Sequence, residues 1–182
     1  MSAILIQPHD DDAVLFACWT LLRHKPLVVT VFDSYVQPGR GIPNTTWQDR
    51  ARETDVACEI LGVRNARLNF RDDDETVNPV QIFARAINLL PRAVQKSDTI
   101  YVPLPEPDGH PQHNLVGIAF GRIPKYYLTY TTRGKSTNAT EVPFEPEWVA
   151  LKLRALAEFK SQFQPATGCV EHFLRGLREY ML

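Results

Sequence analysis

The chain has 182 residues, of which 44% are hydrophobic and 23% charged, and its formal net charge at pH 7 is −1. These values are those of an ordinary globular domain, and the length suits one domain with its own core, which we expect to span residues 1–182. A near-neutral charge excludes the basic surface of an electrostatically driven nucleic-acid binder, so no nucleic-acid partner is expected. An aromatic content of 10% excludes an acidic, aromatic-poor disordered chain.

The start of the chain and its cysteines bear on location. Residues 1–9 have no basic region and only a short apolar run, and so predict neither a signal peptide nor a membrane segment. The three cysteines, Cys18, Cys58 and Cys169, are far apart and show no CxxC spacing. We therefore expect no disulfide framework, with Cys18 and Cys58 as buried apolar residues of helices, and a cytoplasmic location.

Strand-like and helix-like segments alternate along the chain. Short apolar or β-branched runs predict strands at residues 3–7, 27–32, 66–70, 99–104 and 126–131. Apolar residues at helical spacing predict helices at 13–24, 47–61, 80–94, 113–123 and 147–163, and loops are predicted at 34–46 and 133–146. This alternation predicts a three-layer α/β domain with a mostly parallel sheet, in which ligands bind beyond the carboxyl ends of the strands.

Two clusters of polar residues follow predicted strands. Residues 8–12 read Pro-His-Asp-Asp-Asp after the first strand, and residues 108–113 read Asp-Gly-His-Pro-Gln-His after the fourth. His9, Asp12 and His113 make a three-ligand set that leaves positions open, which is the arrangement of a catalytic rather than a structural zinc. Asp11 would lie beside the metal without binding it, where a general base for water belongs.

Structural roles stay open for the same residues. Acidic residues that precede a helix cap its free N–H groups and favour the positive end of its dipole, and histidines spaced HxxH occur as turn residues. The acidic residues 72–75 fit either a second cation site or a solvated turn, and Trp47 and Trp148 fit a core or an interface. No phosphate-binding loop follows the first strand and no GxSxG sequence is present, so neither nucleotide binding of that kind nor serine hydrolysis is expected.

The motifs, in this order, resemble those of the PIG-L/LmbE-like de-N-acetylases. That family carries P-H-P-D-D-E after its first strand and H-P-D-H later, which here read Pro-His-Asp-Asp-Asp-Ala at 8–13 and His-Pro-Gln-His at 110–113. Further similar segments are Arg-Ala-Arg-Glu at 50–53, Leu-Gly-Val at 61–63, Leu-Asn-Phe-Arg-Asp at 68–72, Val-Gly-Ile-Ala at 116–119 and Ala-Glu-Phe-Lys-Ser-Gln at 157–162. The resemblance covers almost the whole chain and implies an LmbE-like, Rossmann-like fold.

The resemblance implies a hydrolase that removes the acetyl group from an N-acetylated amino sugar or a related small molecule, with one Zn²⁺ or another divalent cation per chain. Carried over by position, His9, Asp12 and His113 bind the metal and Asp11 is the base. His110 stabilises the oxyanion or protonates the leaving amine. Arg50 and Asp72 match positions that contact substrate, although Arg50 also has Glu53 within ion-pairing reach on a helix.

Three departures from the family pattern leave alternatives open. Asp10 replaces a proline, Ala13 a glutamate, and Gln112 the aspartate of the second motif. If that aspartate orients a histidine, Gln112 keeps the hydrogen bond but not the charge, which would weaken His110 as an acid–base group. The alternatives are a metal- or sugar-binding relative without turnover, and a metal hydrolase that acts on another amide. Substrate selectivity is expected in the loops 34–47 and 133–146.

Overall fold

A computed structural model of the chain describes residues 3–33, 45–90, 99–121, 126–130, 138–161 and 178–181, with 126–130 described by their backbone. In chain order the elements are β1 (Ala3–Gln7), α1 (Asp12–Phe16), α2 (Cys18–His24), β2 (Leu27–Phe32), α3 (Trp47–Leu61), β3 (Arg64–Phe70), α4 (Pro79–Leu89), β4 (Thr99–Pro103), α5 (Pro111–Phe120), β5 (Tyr126–Tyr130), β6 (Thr140–Glu141), α6 (Pro146–Leu156) and β7 (Tyr180–Met181). Across these ranges we find no helix with the length and apolar character needed to cross a bilayer.

The strands of the described residues form one seven-stranded sheet in the order β3-β2-β1-β4-β5-β7-β6. β1 pairs in parallel with β2 and β4, β2 with β3, and β4 with β5, whereas β7 runs antiparallel to β5 and β6. The prediction of a mostly parallel sheet is confirmed. Strand order reverses between β1 and β4, and the carboxyl ends of such neighbouring strands form the crevice in which open α/β sheets bind ligands.

Helices cover both faces of the sheet. α1, α2, α3 and α6 enclose one core with Leu5, Val28 and Tyr101, while α4 and α5 enclose the other with Ile4 and Ile6. Neighbouring residues of β1 therefore face different cores, which explains why its sequence is continuously apolar instead of alternating. Cys18 and Cys58 are buried in the first core as free thiols, as predicted.

Local signals set several helix ends. Thr46 and Asp49 form a capping box at the start of α3, and Gly62 ends that helix in the left-handed conformation with φ 65°. Asn78 and Gln81 form the corresponding box at the start of α4. His110 caps α5, because its side chain accepts the backbone N–H of Gln112, and Pro111 follows at the first helical position. The HxxH segment therefore begins a helix and is not a turn.

The helix predicted at 13–24 is interrupted. Ala17 leaves the helical conformation (φ −141°, ψ 24°), so that α1 and α2 are separate. The Lys152 ammonium donates to the carbonyl of Leu15 at 3.0 Å, and the N–H of Trp19 donates to the Glu179 carboxylate at 2.8 Å. A cation at the end of one helix and an anion at the start of the next match the two helix dipoles. The break is stabilised from distant parts of the chain.

The other boundaries differ by a few residues. β3 begins two residues earlier than predicted, α5 begins at Pro111 instead of residue 113, and α6 ends at Leu156, well before residue 163. The short strands β6 and β7 were not predicted, and β6 lies within the predicted loop 133–146. Residues 34–44 and 133–137 of the two loops expected to set selectivity lie outside the described residues, as do the end of the helix predicted at 80–94 and Cys169.

Candidate metal centre

The two polar motifs meet at the crevice between β1 and β4. His9 and Asp12 lie in the turn from β1 into α1, and the His9 N–H donates to Asp12 Oδ2 at 2.8 Å. Gln7 fixes this turn from the end of β1, since its amide oxygen accepts the N–H of Ala13 and its amide nitrogen donates to Thr30. His113 comes from the first turn of α5 and is 8% exposed. The strand order thus brings together residues far apart in sequence.

Three donor atoms of these residues face one another. Asp12 Oδ2 lies 3.2 Å from His9 Nδ1 and 3.3 Å from His113 Nε2, and the two ring nitrogens are 3.3 Å apart. Two atoms held about 2.0–2.1 Å from one tetrahedral ion lie about 3.3 Å apart, so this triangle has the size of one face of a zinc coordination sphere. His9, Asp12 and His113 can therefore hold a metal ion together.

The side chains of this triangle shift one another's pKa. Burial alone would raise the pKa of Asp12, but the His113 and His9 side chains offset that effect and hold the pKa well below its usual range. Burial lowers the pKa of His9, yet its contacts with Asp12 and Asp72 outweigh burial and raise this pKa well above 6.5. Asp12 therefore stays charged, and a divalent ion would take over the role of the proton on His9.

Asp11 lies beside the triangle and is 9% exposed. It stands at the N-cap of α1, but its side chain makes no capping hydrogen bond, so the capping interpretation does not describe it. Burial and the neighbouring Asp12 carboxylate raise the pKa of Asp11, with Arg50 and His9 acting in the opposite direction. A buried carboxylate with a raised pKa next to a metal triangle is suited to accept a proton from water.

Asp10, which replaces the family's proline, faces away from the triangle. It is 2% exposed, its Oδ1 accepts the hydroxyl of Thr54 at 3.0 Å, and burial raises its pKa to about 7. Thr54 lies on α3, and its hydroxyl also lies within hydrogen-bonding distance of the Asp10 carbonyl. Asp10 therefore ties the turn between β1 and α1 to α3. Thr54 was not among the predicted site residues, and no motif indicates it.

Gln112 contacts a different histidine from the one expected. Its Oε1 lies 2.6 Å from His9 Nε2, whereas its backbone N–H donates to His110 Nδ1 at 3.3 Å. Its side-chain amide donates to Asp72 Oδ1 at 2.6 Å. Burial, together with His9 and His113, lowers the pKa of His110 to about 4, so this ring is neutral at physiological pH.

Arg50 and Glu53 do not form the ion pair that their spacing allows. Glu53 accepts the N–H and the hydroxyl of Ser161, which lies beyond α6. Arg50 acts electrostatically on Asp11 and Asp72, and its Nε is buried without a hydrogen-bond partner among the described residues. Arg50 thus faces the site, where an anionic or hydroxyl group of a ligand could accept a hydrogen bond from its guanidinium group.

The acidic residues 72–75 divide between two environments. Asp73 pairs with Arg71 at 2.8 Å and Asp74 accepts the backbone N–H of Thr76, both at exposed positions, as in the solvated turn that was one of the alternatives. Asp72 instead turns towards the site, where its Oδ1 lies 3.7 Å from His9 Nε2. Trp47, expected in a core or an interface, is 39% exposed at the start of α3.

Fold and side chains together define an α/β enzyme domain with a candidate metal centre at the crevice of its sheet. The model of the PIG-L family, described as GlcNAc-PI de-N-acetylase, matches residues 4–123, a range that contains every candidate site residue named above. The chain belongs to this family, which places it among the N-deacetylase hydrolases. The comparison with curated proteins gave no match.

Solved structures share the fold. A deacetylase triple mutant from the teicoplanin biosynthetic pathway is 17% identical with a TM-score of 0.77, over 100% of this chain and 96% of that one. The N,N'-diacetylchitobiose deacetylase of Pyrococcus horikoshii is 20% identical with a TM-score of 0.72, and the match covers 97% of this chain and 76% of that one. A 4-carboxy-2-hydroxymuconate hydratase from Pseudomonas putida is 15% identical with a TM-score of 0.68, and the match covers 96% of this chain and 84% of that one. Since a hydratase shares it, the fold alone does not define the reaction.

Proposed function

We propose that this protein hydrolyses the N-acetyl group of an acetylated amino sugar or a related small molecule, with Zn²⁺ held by His9, Asp12 and His113. The observation that carries the proposal is the triangle of donor atoms 3.2–3.3 Å apart, in a chain of the de-N-acetylase family. Two imidazoles and one carboxylate are a typical ligand set for catalytic zinc. The N,N'-diacetylchitobiose deacetylase and the deacetylase of the teicoplanin pathway among the solved structures support this substrate class.

A bound zinc ion supplies two things to amide hydrolysis: it lowers the pKa of a water molecule to about 7 and it polarises the carbonyl group. We assign the proton transfers to Asp11. Its carboxylate takes a proton from the attacking water and then passes it to the nitrogen of the leaving amine, which cannot depart as an anion. Burial raises the pKa of Asp11, which strengthens its carboxylate as a proton acceptor.

We assign to His110 the role of a neutral hydrogen-bond donor. Its Nδ1 accepts the N–H of Gln112, which leaves the ring proton on Nε2. With a pKa of about 4 the ring is uncharged, so it serves better to stabilise the oxyanion by hydrogen bonding than to deliver a proton. Arg50 would bind a hydroxyl or anionic group of the substrate, and Asp72 would lie next to that group.

Acetate release tests the proposal. The zinc-loaded protein is incubated with N-acetylglucosamine, N,N'-diacetylchitobiose and a glucosamine conjugate, and acetate is measured enzymatically. Asp11→Asn should keep its zinc and lose about 10²- to 10⁴-fold in kcat, whereas His113→Ala should lose the metal as well. His24→Ala, a change at an exposed histidine, is the control. Undiminished acetate release in both site variants would overturn the mechanism, and turnover of other amides alone would overturn the substrate class.

We also propose that residues 1–182 form one domain, since all strands of the described residues join one sheet. A cytoplasmic location stays a prediction, supported by the two unlinked, buried cysteines Cys18 and Cys58.

A further inference from the structure

A glutamine connects the candidate metal centre to an acidic residue outside it. Gln112 Oε1 lies 2.6 Å from His9 Nε2, and Gln112 Nε2 donates to Oδ1 and to the backbone carbonyl of Asp72, at 2.6 and 2.8 Å. We propose that Gln112 is a positioning residue that holds His9 in the tautomer protonated on Nε2, and that Asp72 acts by orienting the Gln112 amide. The inference rests on the part of the proposed function that places a metal ion on His9.

The two ends of the Gln112 amide are distinguishable here. Both Asp72 atoms in contact with it are oxygens that only accept hydrogen bonds, so the NH₂ group must face Asp72. The carbonyl oxygen then faces His9, and since that oxygen also only accepts, His9 must carry a proton on Nε2. When a metal ion replaces the other ring proton, the lone pair of His9 is thereby left on Nδ1, the atom that faces Asp12 and His113.

The residue type at position 112 fits its neighbours. A carboxylate there would lie against the carboxylate of Asp72, whereas a glutamine accepts from His9 and donates to Asp72 at the same time. Asp72 is partly buried, and its charge also lies 3.7 Å from His9 Nε2. The other histidine, His113, has no such contact, because its Nδ1 is buried without a hydrogen-bond partner among the described residues. The Gln112 contact therefore orients one of the two histidine ligands.

The test measures zinc affinity and ring protonation instead of turnover. Gln112→Ala is compared with Gln48→Ala, because both residues occupy the second position of a helix and Gln48 is exposed. Zinc affinity is measured by competition with a chromophoric chelator, and the protonated ring nitrogen is assigned by ¹H–¹⁵N NMR of the zinc-loaded protein. We expect Gln112→Ala to bind zinc about 10- to 100-fold more weakly, with no change for Gln48→Ala.

Asp72→Ala shows whether that residue acts through Gln112. Alone it should weaken zinc binding less than Gln112→Ala, and the double variant should be no weaker than Gln112→Ala. Gln112→Glu should keep the His9 proton on Nε2, because a carboxylate also accepts there. Fully additive losses would overturn the role of Asp72.

The wild-type protein alone keeps the proposal testable if a variant fails to fold. A His9 ring protonated on Nδ1 in the zinc-loaded protein overturns it, as does a Gln112→Ala variant with the zinc affinity of Gln48→Ala. A protein that binds zinc with the expected tautomer but releases no acetate supports this inference while the proposed reaction fails. A wild-type chain that takes up no zinc overturns both.

Discussion

Lys152 and Glu179 form an ion pair of 2.7 Å whose two side chains are each 1% exposed. The pair lies at the break between α1 and α2, where Lys152 binds the Leu15 carbonyl and Glu179 accepts the N–H of Trp19. The ammonium also lies 4.7 Å from the centre of the Trp19 ring. Since α1 begins with Asp12, one of the three candidate ligands, this pair anchors the helix that carries one side of the candidate metal centre.

Removing one partner of this pair should be costly. Lys152→Met leaves the Glu179 charge buried and uncompensated, which should reduce the free energy of unfolding by about 3–5 kcal/mol. Lys152→Met combined with Glu179→Gln should recover most of this loss, because no charge remains and the amide oxygen still accepts from Trp19. Urea unfolding measures both. Lys160→Met is the control, since Lys160 is 78% exposed and 4.0 Å from Glu158, and should cost less than about 1 kcal/mol. Equal effects of Lys152→Met and Lys160→Met would show that the pair is not effectively buried.

The stability of the metal-free protein should depend on Asp33. This residue directly follows β2 and is 2% exposed, and burial raises its pKa to about 6 despite Arg67 at 3.5 Å. Its pKa in the folded state exceeds the ordinary value of 3.8, so the folded state binds more protons between these pH values and becomes less stable as the pH rises through that range.

Asp33→Asn should remove this contribution. Between pH 4 and pH 7 the wild type should lose on the order of 2 kcal/mol relative to the variant, as measured by urea unfolding in the presence of a chelator. Asp74→Asn, at an exposed position, should leave the wild-type pH dependence in place. Parallel stability curves for the wild type and Asp33→Asn would refute the assignment.

Arg50 should contribute to substrate binding but not to metal binding. Arg50→Ala removes a cation that faces Asp11 and Asp72, and should raise KM for an acetylated sugar about tenfold or more, as expected for a hydrogen bond to a charged group. Zinc affinity should stay within a few-fold of the wild type. Arg52→Ala, exposed on the same helix, should change neither quantity. Steady-state kinetics and chelator competition measure both, and an unchanged KM for Arg50→Ala would contradict the assignment.

Zinc should stabilise the fold through His113. At a free concentration of about 100 times Kd, zinc should add about 2.7 kcal/mol to the free energy of unfolding of the wild type. His113→Ala removes one corner of the donor triangle and should abolish most of this gain, while His24→Ala should retain it. Thermal or urea unfolding with and without zinc measures the difference. A full gain in His113→Ala would mean that zinc binds elsewhere.

Much of the fold follows from local patterns. The apolar run of β2 and the helical spacing of α3 have the predicted bounds, because a strand buried on both faces and a capped helix ending at Gly62 each leave a local signature. The alternation of strands and helices predicts the parallel sheet, and parallel strands align their carboxyl ends. That alignment is why a motif after β1 and another after β4 could be expected to meet.

Side-chain partners from distant parts of the chain could not be predicted. Gln112 was expected to act on a neighbouring histidine, but it binds His9, 103 residues away. Glu53 binds Ser161, 108 residues away, and so leaves Arg50 for the site. Each of these hydrogen bonds forms only because packing brings its donor and acceptor to within about 3 Å of each other. The spacing of residues along the sequence does not predict which distant side chains come that close.

The sequence by itself determined the class of fold, the residues able to hold a metal ion and the nearby carboxylate, because periodicity and ligand type are properties of short segments. The tertiary structure decided that the donor atoms of His9, Asp12 and His113 lie 3.2–3.3 Å apart. It also decided the break between α1 and α2 and the contact of Gln112 with His9. These features depend on the packing of α5 and α6 against the sheet and on the pairing of β7 within it. Packing brings together side chains that no local sequence pattern relates.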